Sequence, residues 1–401
     1  MPARKVVSPV LADLSQDIAG PIPVDLILLW NTRGKSKKQQ QKLLDPYVKT
    51  GTIVSSDSSG LSKLTASKPL LTVMQLVSQP KEVIYAYGKY LGGEAIGTWI
   101  ADNTQMFYDQ KIAVQDVVEQ MIAAQREIGG LTVQVGIGIH HTTAWEIGGG
   151  LYGEEASKIE EATENYISGK DLLVSNTVKK ELNSRYHEKL TVHPDFPWSY
   201  LLNYADLVMS KSKYPDTNYP CPFDRTFFEL LKNSNLDDPK IYQKIYTRYA
   251  SDKIVVLMKI HHTESELLLN QLTDRVVANA LIKKSAGDYQ VQLVNSNGDV
   301  GIFITVDANE AVQFAQAIRL KLRQQKFNCT IGISKGEVLL FPLQNTGLQI
   351  AGGPVNIASK LAEDAGEKGE IFIEDSVAVK PEDAGKFTVE VSHIKIKGVK
   401  I

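Results

Sequence analysis

The chain has 401 residues, of which 43% are apolar and 22% charged, so a disordered or fibrous protein is excluded and two or three folded units are predicted. Its 44 basic and 46 acidic side chains give a formal net charge of −2, so we expect no nucleic-acid partner. The apolar runs fall short of the roughly 20 residues that cross a bilayer. Acidic residues follow the basic residues near the N-terminus, where a signal peptide would have an apolar stretch. We therefore expect no membrane span and a cytoplasmic protein, with reduced thiols at Cys221 and Cys329.

Residues 1–50 form a predicted N-terminal extension. It contains the apolar run VDLILLW and the basic run RGKSKKQQQK. The basic excess is small and glutamines dilute it, so a solvated surface is favoured over contact with phosphate or RNA.

The first segment that suggests chemistry is GTIVSSDSSGLSKLT, residues 51–65. Its β-branched start predicts a strand, Asp57 lies near the strand end, and Gly60 predicts a tight turn into a helix. A carboxylate there can bind a divalent cation while the turn and helix N-terminus offer N–H groups to phosphate, although Asp in such a turn also serves simply as an N-cap. Asp102, at the tip of a predicted hairpin, could complete a site for Mg²⁺ or Mn²⁺ beside Asp57.

Two segments, residues 133–175 and 329–374, repeat the order strand, turn, strand, glycine-rich loop, helix, strand. Each follows an amphipathic helix, near 114–122 in the first copy and 311–322 in the second, and each of these helices follows a predicted hairpin. This order predicts an α+β fold in each half, with a mainly antiparallel sheet and helices covering one side.

We place the first domain at residues 51–190 and the second at 251–401. The connecting segment, 191–250, is rich in proline and aromatic residues and is too apolar for a free linker. It is expected to pack along the domain surfaces, and a docking site for another protein is the alternative.

These motifs together resemble the class III nucleotidyl cyclase family, the adenylyl and guanylyl cyclases. SSDSSGLSKLT is similar to the family's first metal-binding Asp segment, and WIADNTQMF resembles a relaxed form of the second. VGIGIHHT and TIGISKGEV are similar to its glycine-containing strand turn, GGPVNIASKLAE to its Asn-bearing interface helix, and HIKIKGVKI to its closing strand. The resemblance covers most of both halves. It implies tandem ferredoxin-like cyclase domains, paired head to tail within one chain as a pseudo-heterodimer, and hence a monomer.

In that family each composite site takes metal carboxylates from one domain and the residues that bind the base and the transition state from the other. The resemblance implies one such site here, with Asp57 and Asp102 as the metal ligands and Gly60 in the phosphate-binding turn. The groups from the second domain are the ribose-orienting Asn356, Lys360 in place of the transition-state Arg, and Asn295 and Gln349 as base readers.

The second composite site is expected to be degenerate. Lys259 stands where the resemblance places a metal-binding Asp, although Asp299 keeps the other such position. Glu161 replaces a cation that would face phosphate, which makes the site electrostatically unsuited to a nucleotide.

Two functions follow from this resemblance. The first is an enzyme that converts a nucleoside triphosphate, expected to be ATP, into a cyclic monophosphate and pyrophosphate at the intact site. The alternative is a catalytically inactive pseudo-cyclase that binds a ligand and signals by domain closure, or that serves as a scaffold for a regulatory protein partner. The retained carboxylates and Asn356 favour the enzyme, whereas Lys360 and the uncharged base readers count against it.

Overall fold

The computed structural model describes residues 22–97, 99, 103–207, 209, 211–215, 219–221, 223–261, 265–297, 300–344, 347–363 and 369–377. The chain divides into two compact units. The first unit comprises Leu44–Pro222 and Phe228–Ser234, and the second comprises Met1–Leu43, Phe223–Phe227 and Asn235–Ile401. Both are α+β with mainly antiparallel sheets, which confirms the predicted fold class.

The described helices, in chain order, are α1 (Val24–Arg33), α2 (Lys37–Leu44), α3 (Leu61–Ser67), α4 (Leu70–Tyr90), α5 (Val114–Ile128), α6 (Glu154–Asn165), α7 (Asn176–Glu181), α8 (Ser184–His187), α9 (Arg225–Asn233), α10 (Pro239–Tyr249), α11 (Leu268–Gly287), α12 (Ala308–Gln324) and α13 (Gly353–Glu363). In the part of the chain that the structure describes, no helix has the length and apolar character needed to cross a bilayer.

The described strands, in chain order, are β1 (Val48–Ser59), β2 (Glu94–Ala95), β3 (Thr104–Asp109), β4 (Gln134–Ile147), β5 (Gly150–Tyr152), β6 (Leu172–Ser175), β7 (Leu190–Val192), β8 (Ser199–Leu202), β9 (Ala250–His261), β10 (Gln292–Asn297), β11 (Val300–Thr305), β12 (Asn328–Pro342), β13 (Leu348–Ala351) and β14 (Ile371–Ile373).

The sheet of the first unit has the strand order β2-β3-β1-β4-β6-β8-β7, and β5 pairs with β4. Strands β4 and β6 are parallel, and the other described pairs are antiparallel. Helix α6 packs against one face of this sheet, where Gly138 of β4 leaves room for Ile159 and Thr163. Helices α4 and α5 pack together. From α5, Gln125 donates to the backbone carbonyl of Val135 at 2.8 Å, so this helix is fixed to the start of β4.

The sheet of the second unit has the order β10-β11-β9-β12-β13, and β14 pairs in parallel with β12. One cluster of buried side chains lies between the sheet and helices α11 and α12. A second cluster lies between the sheet and α13, and it includes Val255, Leu257 and Ala358. The second unit therefore repeats the arrangement of the first, as the sequence duplication predicts.

The strand registers define equivalent positions in the two units. Ile137 of β4 pairs with both β1 and β6, and Ile331 of β12 pairs in the same way with β9 and β14. Asp57 pairs with the residue before Ile137, and Lys259 pairs with the residue before Ile331. The backbone thus places Lys259 at the position that Asp57 occupies in the first unit.

The segment after residue 190 adds to the first unit in two ways. Strands β7 and β8 extend its sheet beyond β6. The chain then crosses α5, where Arg126 donates to the carbonyl of Tyr204 at 2.9 Å and Gln120 donates to the carbonyl of Ser212 at 3.1 Å. Both of these contacts are with α5 of the first unit.

The described residues before the first unit belong to the second. In α1 the fully buried Trp30 donates from Nε1 to Oδ1 of Asn270 in α11, at 3.0 Å. Beyond α1, the side chain of Gln40 accepts a hydrogen bond from the backbone N–H of Leu269 at 3.0 Å. Helices α1 and α2 therefore contact α11, which lies some 240 residues later in the sequence.

Both cysteines are buried thiols. Burial raises the pKa of the Cys329 thiol to about 12, so this thiol is protonated and unreactive at neutral pH. The prediction of reduced, structural thiols agrees with these environments.

Candidate functional site

Asp57 lies near the end of β1, in the centre of the first unit's sheet, and its side chain is half-buried. Side chains alternate between the faces of a strand, so Asp57 lies on the same face as Ser55, whose hydroxyl is 3.1 Å from that of Thr163 in α6. Asp102, its predicted partner, lies outside the described residues. Two positions later Thr104 pairs with Ser56, directly beside Asp57 in the sheet.

Gly60 forms the turn that the sequence predicts between β1 and α3. Its φ of 77° is left-handed, a conformation that glycine adopts without strain. The turn and α3 border a cavity of about 300 Å³, lined by Ser59, Gly60, Leu61, Lys63, Leu64, Ser67, Thr132 and Val133. The helix has only seven residues. A role for Gly60 at phosphate stays a prediction.

Asn295 and Gln349, the two predicted base readers, contact each other in the second unit. Nδ2 of Asn295 donates to Oε1 of Gln349 at 3.3 Å, and both side chains are half-buried. Asn295 lies on β10 beside a register shift that starts at Leu293, and Gln349 lies on β13. These strands stand at opposite ends of the described strand order, so the contact shows that the sheet curves until its two edges approach each other.

Asn356 and Lys360 lie one turn apart on α13 and therefore share one face of that helix. The Asn356 side chain is exposed, and Lys360 is half-buried. Helix α13 sits close to the sheet because Gly332 of β12 has no side chain at the crossing. A Cβ added there would lie 2.1 Å from the backbone oxygen of Ala358.

The corresponding positions of the two units differ in charge. Lys259 is half-buried at the position equivalent to Asp57, and its alternation with Leu257 places it on the face that α13 covers. In the first unit α6 has the exposed Glu161 at the position equivalent to Lys360. Asp299 lies outside the described residues. The degeneracy of the second implied site stays a prediction.

Two carboxylates are implied as ligands of a divalent cation, and only that of Asp57 lies among the described residues. Among the residues that the structure describes, no group of three or more His, Cys, Asp or Glu side chains is arranged to hold a metal ion. The hard oxygen of Asp57 suits Mg²⁺ or Mn²⁺, which bind few carboxylates together with water and substrate phosphates. The cation at Asp57 and Asp102 remains a prediction.

The first unit also contains a buried histidine network that sequence motifs do not reveal. His140 of β4 is only 3% exposed, and its Nε2 lies 3.0 Å from Oε2 of Glu155 at the start of α6. Its Nδ1 lies 3.3 Å from the hydroxyl of Thr177, and its ring lies against Trp198. Lys158 completes the network through an ion pair with Glu155. Because these contacts join separate helices and strands, the sequence gives no sign of the network beyond a histidine in a predicted strand.

We expect His140 to make stability depend on pH. Burial lowers the pKa of His140 from its ordinary 6.5 and outweighs the opposing effect of the hydrogen bond that the Glu155 carboxylate accepts. The folded state then binds fewer protons than the unfolded state, so stabilisation present above pH 6.5 is lost as the pH falls. In urea denaturation, His140→Gln should lose less unfolding free energy than the wild type between about pH 7.5 and about pH 5.5. Substitution of the exposed His187 by Gln is the control, and equal losses in all three proteins would contradict the prediction.

Comparison with known proteins gives structural matches only. No protein-family model and no curated protein matches the sequence. A class III adenylyl cyclase-like ATP-binding protein from Pseudomonas aeruginosa is 11% identical, with 82% of this chain and 84% of that chain covered and a TM-score of 0.49. The adenylyl cyclase CyaB of P. aeruginosa is 14% identical over 41% of this chain and 98% of that chain, with a TM-score of 0.34. The guanylate cyclase domain of RhGC from Catenaria anguillulae, in complex with GTP, is 11% identical over 39% and 96% of the chains, with a TM-score of 0.33. The first of these structures is of a cyclase-like protein and the other two are of cyclases, and all three TM-scores lie below 0.5.

Proposed function

We propose that this chain is a class III cyclase-type protein that binds a purine nucleoside triphosphate, ATP in the first instance, together with Mg²⁺ or Mn²⁺. The single observation that carries the proposal is the hydrogen bond between Asn295 and Gln349. The resemblance assigns both residues to the purine base although 54 residues separate them in sequence, and the structure brings their amides together. The hydrogen-bonding groups of such a pair match the polar edge of a purine.

The groups on α13 suit the rest of the nucleotide. The amide of Asn356 can donate to and accept from ribose oxygens, and the ammonium of Lys360 can neutralise phosphate charge one helical turn away. A divalent cation at Asp57 and Asp102 would neutralise further phosphate charge and lower the pKa of the ribose 3′ hydroxyl.

The reaction proposed for this site is cyclisation. The ribose 3′ oxygen forms a new bond to the α-phosphorus, the bond from that phosphorus to the bridging oxygen breaks, pyrophosphate leaves, and the hydroxyl proton passes to water. Lys360 supplies one positive charge without the planar, bidentate geometry of Arg, so it should stabilise the transition state by a few kcal/mol less than Arg would. We therefore propose a slow cyclase.

Lys360→Arg should raise the rate of cyclic nucleotide formation by about tenfold or more, because the guanidinium can contact two phosphate oxygens at once. The test incubates the purified wild type and the variant with ATP or GTP and excess Mg²⁺ or Mn²⁺, with product measured by mass spectrometry and nucleotide binding by calorimetry. Lys335→Arg, an exposed substitution on β12, is the matched control and should leave the rate unchanged. Failure of the wild type to bind any nucleotide in the presence of metal would overturn the proposed function.

A second candidate function is a nucleotide-responsive pseudo-cyclase. Three substitutions favour it, namely the uncharged amides of Asn295 and Gln349 at the base-reading positions and Lys360 in place of Arg. Metal-dependent nucleotide binding without product, in both the wild type and Lys360→Arg, would identify this function instead of the enzyme.

A further inference from the structure

We propose that Asn295 and Gln349 form a reversible amide pair that accepts adenine and guanine with nearly equal affinity. This inference rests on the proposed nucleotide site and adds its base specificity. It starts from the 3.3 Å hydrogen bond in which Nδ2 of Asn295 donates to Oε1 of Gln349. That bond leaves the acceptor Oδ1 of Asn295 and the donor Nε2 of Gln349 for a ligand.

Rotation of both amides by half a turn preserves the bond between them. Nε2 of Gln349 then donates to Oδ1 of Asn295, while Nδ2 of Asn295 and Oε1 of Gln349 become available. The two arrangements contain the same groups at the same positions, so their internal hydrogen-bond energies are similar. The order of donor and acceptor that a ligand meets is reversed.

Nothing in the described surroundings fixes one arrangement. Among the residues that the structure describes, neither amide has a hydrogen-bond partner other than its counterpart in the pair. The neighbouring Ser296 donates instead to Asn279, on the helix α11. Neither side chain carries a charge that would require a fixed partner, so the pair is free to adopt either arrangement.

The two purines require opposite orders of donor and acceptor. Adenine has the donor N6 beside the acceptor N1, whereas guanine has the acceptor O6 beside the donor N1–H. One arrangement of the pair therefore fits adenine and the other fits guanine, with the base in the same position. A lysine and carboxylate pair has a fixed order, so it would satisfy one purine and leave the other with opposed groups, at a cost of one or more hydrogen bonds.

The test measures equilibrium binding of ATP and GTP to the full chain with Mn²⁺ present. In the wild type we expect the two dissociation constants to agree within about threefold. Asn295→Ala and Gln349→Ala should each weaken both nucleotides by about tenfold while leaving their ratio near one, because the remaining amide still rotates freely. Ser296→Ala is the neighbouring control and should change neither constant.

A double variant tests the reversal itself. Asn295→Lys combined with Gln349→Glu fixes the order of donor and acceptor, and the ATP and GTP constants should then differ by about tenfold or more. A wild type that binds both nucleotides but prefers one by about tenfold or more would overturn this inference and leave the proposed function intact. A double variant that still binds both purines equally would also overturn it. No binding of either nucleotide to the wild type would overturn both.

Discussion

Asp57→Asn should weaken metal-dependent nucleotide binding, and any cyclase activity, by at least about 100-fold. The substitution keeps the size and one oxygen of the side chain and removes the negative charge on the face that α6 covers. A carboxylate that binds Mg²⁺ contributes several kcal/mol to nucleotide binding and catalysis, because the cation neutralises phosphate charge. An amide oxygen is a much weaker ligand for this cation. The measurement is a titration of nucleotide at a series of Mn²⁺ concentrations.

Asp109→Asn is the matched control for that experiment. Asp109 is exposed on the same sheet, at the other end of β3, where it accepts from the backbone N–H of Lys111 at 3.0 Å. An Asn side chain can keep this hydrogen bond, so the control makes the same change of charge away from the site. Asp102→Asn should behave like Asp57→Asn. Unchanged Mn²⁺ dependence in Asp57→Asn would show that this carboxylate does not hold the cation.

Gly332→Ala should destabilise the packing of α13 against the sheet by about 3 kcal/mol or more. The added Cβ would lie 2.1 Å from the oxygen and 2.9 Å from the carbon of the Ala358 carbonyl group. Both atoms belong to the helix backbone and cannot rotate away as a side chain would, so the helix must move. Asn356 and Lys360 lie on the same helix, and nucleotide affinity should therefore fall together with stability.

Hydrogen exchange along α13 measures this effect directly. Exchange of its amides in Gly332→Ala should become faster by roughly 100-fold or more, corresponding to the free energy lost. Gly353→Ala is the control on the same helix, because a Cβ at that exposed position meets no atom within 4 Å. Equal exchange rates in the two variants would show that α13 does not depend on the close approach at Gly332.

The repeated part of the fold could be predicted from the sequence because its signals are local. The apolar spacing near 114–122 and 311–322 predicts helices that the structure shows as α5 and α12. The hairpin predicted before the second of these helices corresponds to β10 and β11. The prediction of the hairpin before the first helix is less accurate. The earlier strand of that hairpin is only Glu94–Ala95, and Trp99 lies in the loop beyond it.

Contacts between distant segments could not be predicted in this way. Strands β7 and β8 contain three and four residues, too few to show a clear alternation. Their place in the sheet depends on the pairing of β8 with β6, a strand from the other side of α7 and α8. For the same reason the approach of Asn295 and Gln349 has no local signature. Only the family resemblance suggested that these residues act together, and their contact depends on curvature of the whole sheet.

The position of α1 also sets an order of events during synthesis. Residues 24–33 are synthesised before residue 270, so Trp30 cannot donate to Asn270 until the later segment has been made. The first unit can fold in the meantime, while Trp30 remains without its contact to α11. The second unit consequently closes only when its earliest and its later segments meet, so a C-terminal fragment that starts at Asn235 should expose the apolar surface of α11 and aggregate.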